Sequence, residues 1–261
     1  MVERSAEPPV VTFFSTDPFV PGSTLTLGDD AAQHARVLRI LPGAGLELRD
    51  GAGHAARGVL SRAAKRSLTV DVTATWEIGA PASVHLLAPV ADRDRMLLLA
   101  EKCTEIGVAS WRPVMWRGSR SVGPRGDGPS FQSRVRGRMI SALTQSGGGW
   151  LPEVHPSARL ERAIAAAPPG TRLLLHGSAP MSIATVGLVE PVVIAFGPEG
   201  GIDEREFDQL VEGGFTPVRL GGNTLRFETA GIAAVSIVRT LLDAGGHAVA
   251  ANAAGVQPSE E

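Results

Sequence analysis

The chain has 261 residues, with 25 Lys and Arg against 27 Asp and Glu, one cysteine and no tyrosine. A single cysteine excludes a disulfide framework, argues against a thiolate-rich zinc site and favours a reducing compartment. No apolar run approaches the roughly 20 residues of a membrane helix, and residues 1–10 lack a signal-type apolar stretch, so we expect a cytoplasmic protein without a membrane or metal partner.

The net charge of −2 hides an uneven distribution along the chain. Residues 111–138 contain seven arginines and one acid, whereas the segment from Glu190 onward contains eleven acids and four arginines. Only Lys65 and Lys102 are lysines, and guanidinium groups bind phosphate in a bidentate manner, so the pattern favours a nucleic-acid partner. A solvated arginine-rich face is the alternative.

Residues 1–78 are predicted to form a small β-barrel domain. Short apolar segments lie around residues 13–14, 25–27, 46–49, 58–60 and 68–75, and Pro-Gly and Asp-Gly pairs mark turns between them. One helix is predicted over residues 29–40, with an aspartate as its cap. Gly51 and Gly53 are interpreted as a turn, because no helix follows them.

Residues 82–246 are predicted to form an α/β domain, and residues 247–261 a disordered tail. Apolar strands at 84–90, 108–115, 172–176, 192–197 and 217–220 alternate with helices that include 92–106, 131–146 and 228–242. Near-continuous apolar strands between helices indicate a parallel sheet covered on both faces. Cys103 falls at helical spacing among apolar residues and is predicted to be a core residue.

Three strand ends of this sheet are chemically unusual, and ligands bind beyond the carboxyl ends of such strands. They are the segments 175–177 (Leu-His-Gly), 196–201 (Phe-Gly-Pro-Glu-Gly-Gly) and 220–230 (Leu-Gly-Gly-Asn-Thr-Leu-Arg-Phe-Glu-Thr-Ala). Their glycines allow close approach of a ligand to the backbone. Asp203 and Glu206 form a capping-box pattern that ties the second loop to a helix. Glu199, in a loop without Lys, Ser or Thr, indicates a neutral or cationic ligand rather than a triphosphate.

These residues closely resemble the signature of the RsmE family, the 16S ribosomal RNA uracil-N3 methyltransferases of the SPOUT class. The similarity is most specific at residues 197–201, at Leu220-Gly221 and at 225–230, and it includes Lys102, Glu105, Gly107-Val108 and Arg120-Ser121. The chain departs from the family pattern over 143–150, at Asn223-Thr224 and at Phe227. The resemblance implies a PUA-like amino-terminal barrel, a SPOUT-type parallel sheet with a C-terminal trefoil knot, and S-adenosylmethionine as methyl donor.

The resemblance also implies roles for individual residues. The cofactor-binding residues are then Leu175, His176, Phe196, Gly197, Pro198, Glu199, Gly200, Gly201, Leu220, Gly221, Asn223, Leu225 and Arg226. Arg226 would stabilise charge on the uracil oxygens. Glu228 or a phosphate-activated water would accept the N3 proton, with capping of the following helix an equal alternative for Glu228. A carboxylate such as Glu199 or Glu228 would favour the cationic sulfonium.

The expected partner is 16S rRNA or the small ribosomal subunit. RNA contacts are predicted at Arg36, Arg39, Arg117, Arg120, Arg134, Arg138 and Gln145. The helix at 228–242 is apolar nearly all round, which fits a homodimer interface or, alternatively, burial within one chain. Two other functions stay open: another SPOUT enzyme that methylates a ribose 2′-hydroxyl or a guanine N1 of tRNA or rRNA, and a ribosome-binding protein without activity.

Overall fold

A computed structural model describes residues 10–121 and 128–254, which fall into two compact units. The first unit contains the described residues up to Ala80 together with Ile140–Leu151. Its strands are Val11–Phe14 (β1), Thr24–Leu27 (β2), Gly45–Arg49 (β3), His54–Ala63 (β4) and Leu68–Glu77 (β5). They form one sheet in the order β1-β3-β4-β5-β2, in which β1 and β3 are parallel and the other pairs are antiparallel. All five predicted strands are therefore confirmed.

The helix of this unit, α1, spans Asp29–Val37 and buries Ala32 and Ala35 against the sheet core. The predicted aspartate cap is wrong: Gly28 is the N-cap, and Asp29 and Asp30 lie in the first turn, where negative charge favours the helix dipole. The helix also ends before the predicted residue 40, because Arg39 adopts a left-handed φ of 56°.

Residues 149–151 belong to the first unit through the turn at Gly51 and Gly53. The backbone N–H of Gly53 donates to the Gly149 carbonyl at 3.0 Å, and the indole Nε1 of Trp150 donates to the Ile78 carbonyl at 2.8 Å. A Cβ on Gly53 would lie 2.5 Å from the Trp150 ring, and Gly53 has a φ of 94°. The turn prediction is confirmed, and part of the 143–150 departure has a packing role.

The second unit is a parallel α/β structure built on a seven-stranded sheet. Its strands are Val84–Pro89 (β6), Ser110–Met115 (β7), Glu153–Val154 (β8), Ala158–Arg159 (β9), Thr171–Leu175 (β10), Val192–Ala195 (β11) and Thr216–Val218 (β12). The order is β12-β10-β11-β6-β7-β8, and β9 also pairs with β7. The five predicted strands are confirmed, whereas the two-residue strands β8 and β9 are too short to give a sequence pattern.

Five helices accompany the strands of this part of the chain. They are Arg93–Ile106 (α2), Pro129–Ser146 (α3, whose residues from 140 on belong to the first unit), Leu160–Ala165 (α4), Glu204–Glu212 (α5) and Phe227–Ala254 (α6). The cap of α2 is Asp92, whose carboxylate accepts from the Arg95 N–H at 3.1 Å, and its end is Gly107 with a φ of 89°. Cys103 is buried, as predicted, and desolvation raises the pKa of its thiol.

The last helix continues past the predicted end at residue 242. Residues 247–254, predicted as part of a disordered tail, are helical in the structure, and residues 255–261 lie outside the described part. Alanine has the highest helix propensity, and six of the eleven residues from 244 to 254 are alanine, which explains the longer helix. The order of the strands does not test the predicted trefoil knot, which stays a prediction.

Candidate functional site

A cavity of about 460 Å³ lies at the carboxyl ends of β10, β11 and β12. Because these three strands are neighbours in the sheet, the loops that follow them meet at one edge. The cavity is lined by Leu175, His176, Gly177, Phe196, Gly197, Pro198, Glu199, Gly201, Ile202, Leu220, Gly221, Asn223, Thr224, Leu225, Arg226, Phe227 and Ala230. We call it the loop cavity.

The loop cavity brings together every predicted cofactor residue except Gly200. Gly200 instead faces the segment that follows β7, because a Cβ on it would lie 3.2 Å from the Gly118 carbonyl oxygen. Glu228 is not among the lining residues either. Five lining residues were not among the predicted cofactor residues, although they lie within or beside the three loops: Gly177, Ile202, Thr224, Phe227 and Ala230.

The loop after β11 is anchored by the predicted capping box. The Asp203 carboxylate accepts from the Glu206 N–H at 2.8 Å, and the Glu206 carboxylate accepts from the Asp203 N–H at 3.2 Å. Arg117 adds a second anchor: its N–H donates to Glu206 Oε1 at 2.7 Å, and its guanidinium lies 3.3 Å from Asp203. The hydrogen bond from the Glu206 N–H, followed by the charge of Arg117, lowers the pKa of Asp203. Arg117 thus fixes the loop.

Close packing also restrains the loop from inside. A Cβ on Gly197 would lie 2.5 Å from Cγ1 of Ile202, so the glycine permits the tight turn. The ring of His176 packs edge-on to Phe207 of α5 with centroids 5.0 Å apart, and its Nδ1 lies 3.0 Å from the Ser178 hydroxyl. The cavity walls are therefore held by contacts within this unit.

Glu199 is paired with an arginine that the sequence analysis did not single out. Nη1 of Arg95, in the first turn of α2, lies 2.5 Å from Glu199 Oε1, and both side chains are about one-third exposed. The ion pair compensates the charge of Glu199, which weakens the hypothesis that this carboxylate attracts a sulfonium. The position of Arg95 after β6, the neighbour of β11, is the signal that could have found it.

The start of α6 places Arg226 and Glu228 in different surroundings. Arg226 is exposed and lines the loop cavity, and its carbonyl accepts from the Ala230 N–H at 2.9 Å. Glu228 is only 7% exposed, and within the described residues its Oε2 has no hydrogen-bond partner. A buried carboxylate oxygen without a partner is costly, so Glu228 stands out from the other buried carboxylate described here, Glu206, which is hydrogen-bonded.

The predicted RNA contacts are spread over both units. Arg36, Arg39 and Gln145 are exposed in the first unit, and Arg117, Arg134 and Arg138 are exposed in the second. Arg138 pairs with Glu101 at 3.3 Å, and Arg117 is engaged with Asp203. The side chain of Arg120 lies outside the described residues.

Searches for two other kinds of feature cover only the described residues. No helix there is long and apolar enough to span a membrane. No group of three or more His, Cys, Asp or Glu in that part of the chain is arranged to hold a metal ion.

Comparison with known proteins decides the family. A family model described as RNA methyltransferase domain matches residues 79–239, and one described as RNA methyltransferase PUA domain matches residues 27–73. The ribosomal RNA small subunit methyltransferase E of Mycobacterium bovis is 30% identical over 229 residues, which cover 82% of this chain and 85% of that protein. The chain belongs to the ribosomal RNA small subunit methyltransferase E family. It is an RNA methyltransferase with a PUA-like first unit.

Solved structures agree with this family assignment. The methyltransferase E of Neisseria gonorrhoeae bound to S-adenosylmethionine superposes with a TM-score of 0.82 at 29% identity, covering 89% of this chain and 98% of that one. A Legionella pneumophila methyltransferase in complex with the same cofactor gives a TM-score of 0.81 at 25% identity and covers 90% of this chain and 98% of that one. The family fold therefore extends over both units.

Proposed function

We propose that this protein methylates N3 of a uridine in the 16S rRNA of the small ribosomal subunit, with S-adenosylmethionine as donor. The proposal depends most on one observation: the loops at 175–177, 196–201 and 220–230 meet in one cavity, and Arg226 lines its wall. The names of the relatives and the resemblance at residues 197–201 and 225–230 support the rRNA substrate and the uracil target.

The loop cavity fits such a cofactor in size and chemistry. Its volume of about 460 Å³ lies within the roughly 300–1,000 Å³ of small-molecule sites. A Cβ on Gly177 or Gly221 would meet no atom within 4 Å, so these glycines leave the space beside the backbone to a ligand. Backbone groups and apolar walls suit an adenine ring. When bound, S-adenosylmethionine supplies an electrophilic methyl group on a cationic sulfur.

Arg226 and Glu228 are proposed to handle the charge and the proton of the uracil. An exposed guanidinium at the cavity wall can stabilise negative charge that develops on the uracil oxygens when N3 is deprotonated. Glu228 follows in the first turn of α6, and its unpartnered Oε2 supports its role as proton acceptor. Because N3 lies on the Watson–Crick edge, the target base must be unpaired or flipped.

Arg36, Arg39, Arg117, Arg120, Arg134 and Arg138, together with Gln145, remain the proposed RNA contacts from the sequence. Exposure of the described members in both units supports contacts to phosphate on more than one surface. The ion pairs of Arg117 and Arg138 lower the net charge that these two residues offer.

A homodimer formed through residues 228–242 and a cytoplasmic location complete the proposal. Ile232, Ile237 and Leu241 are apolar and only half-buried on α6, which supports a second chain on this helix. The cytoplasm is where small ribosomal subunits are found. The trefoil knot is proposed on the resemblance alone.

Nucleoside mass spectrometry of rRNA from a strain that lacks the protein tests this function. We expect the loss of one N3-methyluridine from 16S rRNA, restored by the wild-type chain but not by Arg226→Ala. An unchanged nucleoside profile, or the loss of a different methylated nucleoside, overturns the proposal.

A further inference from the structure

A second cavity in the same unit lies beside β7, β9 and α4, and three arginines line it. Its volume is about 880 Å³, and its walls include Arg112, Met115, Arg159 and Arg162. The strands β7 and β9 align Met115 with Arg159, and α4 closes the other side. Among the described residues, none that lines this cavity is acidic. We call it the arginine cavity.

The three guanidinium groups of the arginine cavity are not engaged by other described side chains. Within the part of the chain that the structure describes, none of Arg112, Arg159 and Arg162 has a hydrogen-bond or ion-pair partner for its side chain. In contrast, Arg95, Arg117 and Arg138 each pair with a carboxylate. Arg159 and Arg162 are exposed, whereas Arg112 is half-buried on β7.

A half-buried cation without a counter-ion is unfavourable, so an anion should bind beside Arg112. His155 lies near Arg112, and its pKa is lowered. Burial of the ring is the largest cause, and the positive charge of Arg112 is the next. Glu153 pairs with His155 at 3.2 Å and does not line the arginine cavity.

The arginine cavity adjoins a third cavity, with which it shares Met115 and Arg159. The third cavity is also lined by two acids, Glu161 and Glu206. An anion is therefore favoured in the arginine cavity itself and not in the third cavity.

We propose that the arginine cavity holds the phosphodiester backbone of the RNA substrate. The proposal rests on the proposed function and adds a substrate-binding surface at Arg112, Arg159 and Arg162, which the sequence analysis did not assign. A cavity of this size with three separate guanidinium groups suits several consecutive phosphates better than one isolated anion. Binding here positions the RNA and carries no sequence information.

The test measures RNA affinity against salt concentration with the full chain. The triple variant Arg112→Gln, Arg159→Gln and Arg162→Gln is compared with a control that removes the same charge elsewhere, Arg62→Gln, Arg66→Gln and Arg136→Gln. The probe is a fluorescein-labelled single-stranded RNA of mixed sequence, followed by anisotropy. Each single-strand phosphate contact contributes about 0.7 to the slope of log affinity against log salt, so three contribute about 2, or about 100-fold in affinity at 0.1 M salt relative to 1 M.

In the triple variant of the arginine cavity, the slope of log affinity against log salt should become shallower by about 2. In the triple control variant it should change by less than about 0.7. Arg112 is half-buried, so the double variant Arg159→Gln and Arg162→Gln, which changes only exposed side chains, is measured as well and should lose about 1.4. An unchanged slope in the double variant, or equal losses in the cavity and control variants, overturns the proposal. So does tight binding of free nucleoside triphosphate that depends on the three arginines, because it would show a small-molecule site.

Calorimetry with S-adenosylmethionine separates this proposal from the proposed function. The cavity variant should bind the cofactor as the wild type does. A wild-type chain that binds RNA through these arginines but methylates nothing would contradict the proposed function and leave the arginine cavity as an RNA site. A variant that lacks the three arginines but methylates RNA at the normal rate would contradict the arginine cavity as an RNA site and leave the proposed function in place.

Discussion

The loop cavity lies at the carboxyl ends of β10, β11 and β12, whereas the arginine cavity lies beside β7 and β9 of the same sheet, and the two linings differ in charge. In the loop cavity, glycines and apolar side chains form most of the wall, and the carboxylate of Glu199 is compensated by Arg95. In the arginine cavity, three guanidinium groups share a space without a carboxylate. This contrast indicates that the unit separates the recognition of a small cofactor from that of a polyanion. A variant of one cavity should therefore affect one ligand, and the loss of both ligands in a single variant would contradict that separation.

The largest effect is expected from Arg226, the arginine of the loop cavity. Arg226→Ala should lower the rate of methyl transfer by about 100- to 1,000-fold, as removal of one preorganised charge-stabilising donor does elsewhere. The salt slope of RNA binding should change by less than about 1, because Arg226 acts on the base. Single-turnover kinetics measure the rate, with Arg136→Ala as an exposed-arginine control. A rate within about threefold of wild type would contradict the assigned role.

A matched pair of glycines tests where the cofactor lies. A Cβ on Gly221 or Gly222 meets no atom within 4 Å, but only Gly221 lines the loop cavity. Gly221→Val should therefore fill the ligand volume and weaken cofactor binding about tenfold or more, because overpacking a site costs about 1–3 kcal/mol. Gly222→Val should bind normally, and both should keep the wild-type melting temperature. Equal cofactor affinities for the two variants in calorimetry would place the cofactor elsewhere.

Glu206 connects the two regions, because it anchors the loop after β11 and lines the third cavity. Glu206→Ala leaves the N–H groups of Arg117 and Asp203 without their acceptor. We expect a loss of about 1–3 kcal/mol in the free energy of unfolding, measured with urea. Glu204→Ala, at an exposed position of the same helical turn, is the control and should change it by less than about 0.5 kcal/mol. Equal losses in both variants would show that the capping box does not hold the loop.

The smallest effect is expected at Glu199. Since Arg95 already compensates its charge at 2.5 Å, Glu199→Gln should change the free energy of cofactor binding by at most about 1 kcal/mol, or about fivefold in Kd. Arg95→Met in the same background completes a double-mutant cycle. A loss of cofactor affinity well beyond tenfold for Glu199→Gln alone would restore a direct contact between this carboxylate and the sulfonium.

Most of the longer local elements of the fold could be predicted because they left a pattern in neighbouring residues. Asp203 and Glu206 have the spacing of a capping box, and Gly107 follows the last apolar position of α2. Most members of the loop cavity were predicted from the resemblance to a known family and from the rule that ligands bind at strand ends. The sequence departure at Gly149 and Trp150 could not be interpreted, because its explanation is a contact with Gly53 and Ile78 far away in the chain.

Pairings between distant residues account for most of what sequence reasoning missed. The arginine-rich segment suggested phosphate contacts at Arg117 and Arg138, yet both are partnered by acids. The uncommitted arginines Arg159 and Arg162 lie outside that segment, where charge counting gave no signal. Charge along the sequence therefore predicted the kind of partner but not which side chains are available to it.

Methyl transfer with purified components tests the central claim most directly. The wild-type chain is incubated with S-adenosylmethionine that carries a deuterated methyl group and with small ribosomal subunits from a strain that lacks the protein, and the rRNA nucleosides are analysed by mass spectrometry. We predict deuterated N3-methyluridine at a single site of 16S rRNA, formed at similar rates by wild type and Gly222→Val and more slowly by Gly221→Val at limiting cofactor. Label in another nucleoside, or no label in any nucleoside, would contradict the account.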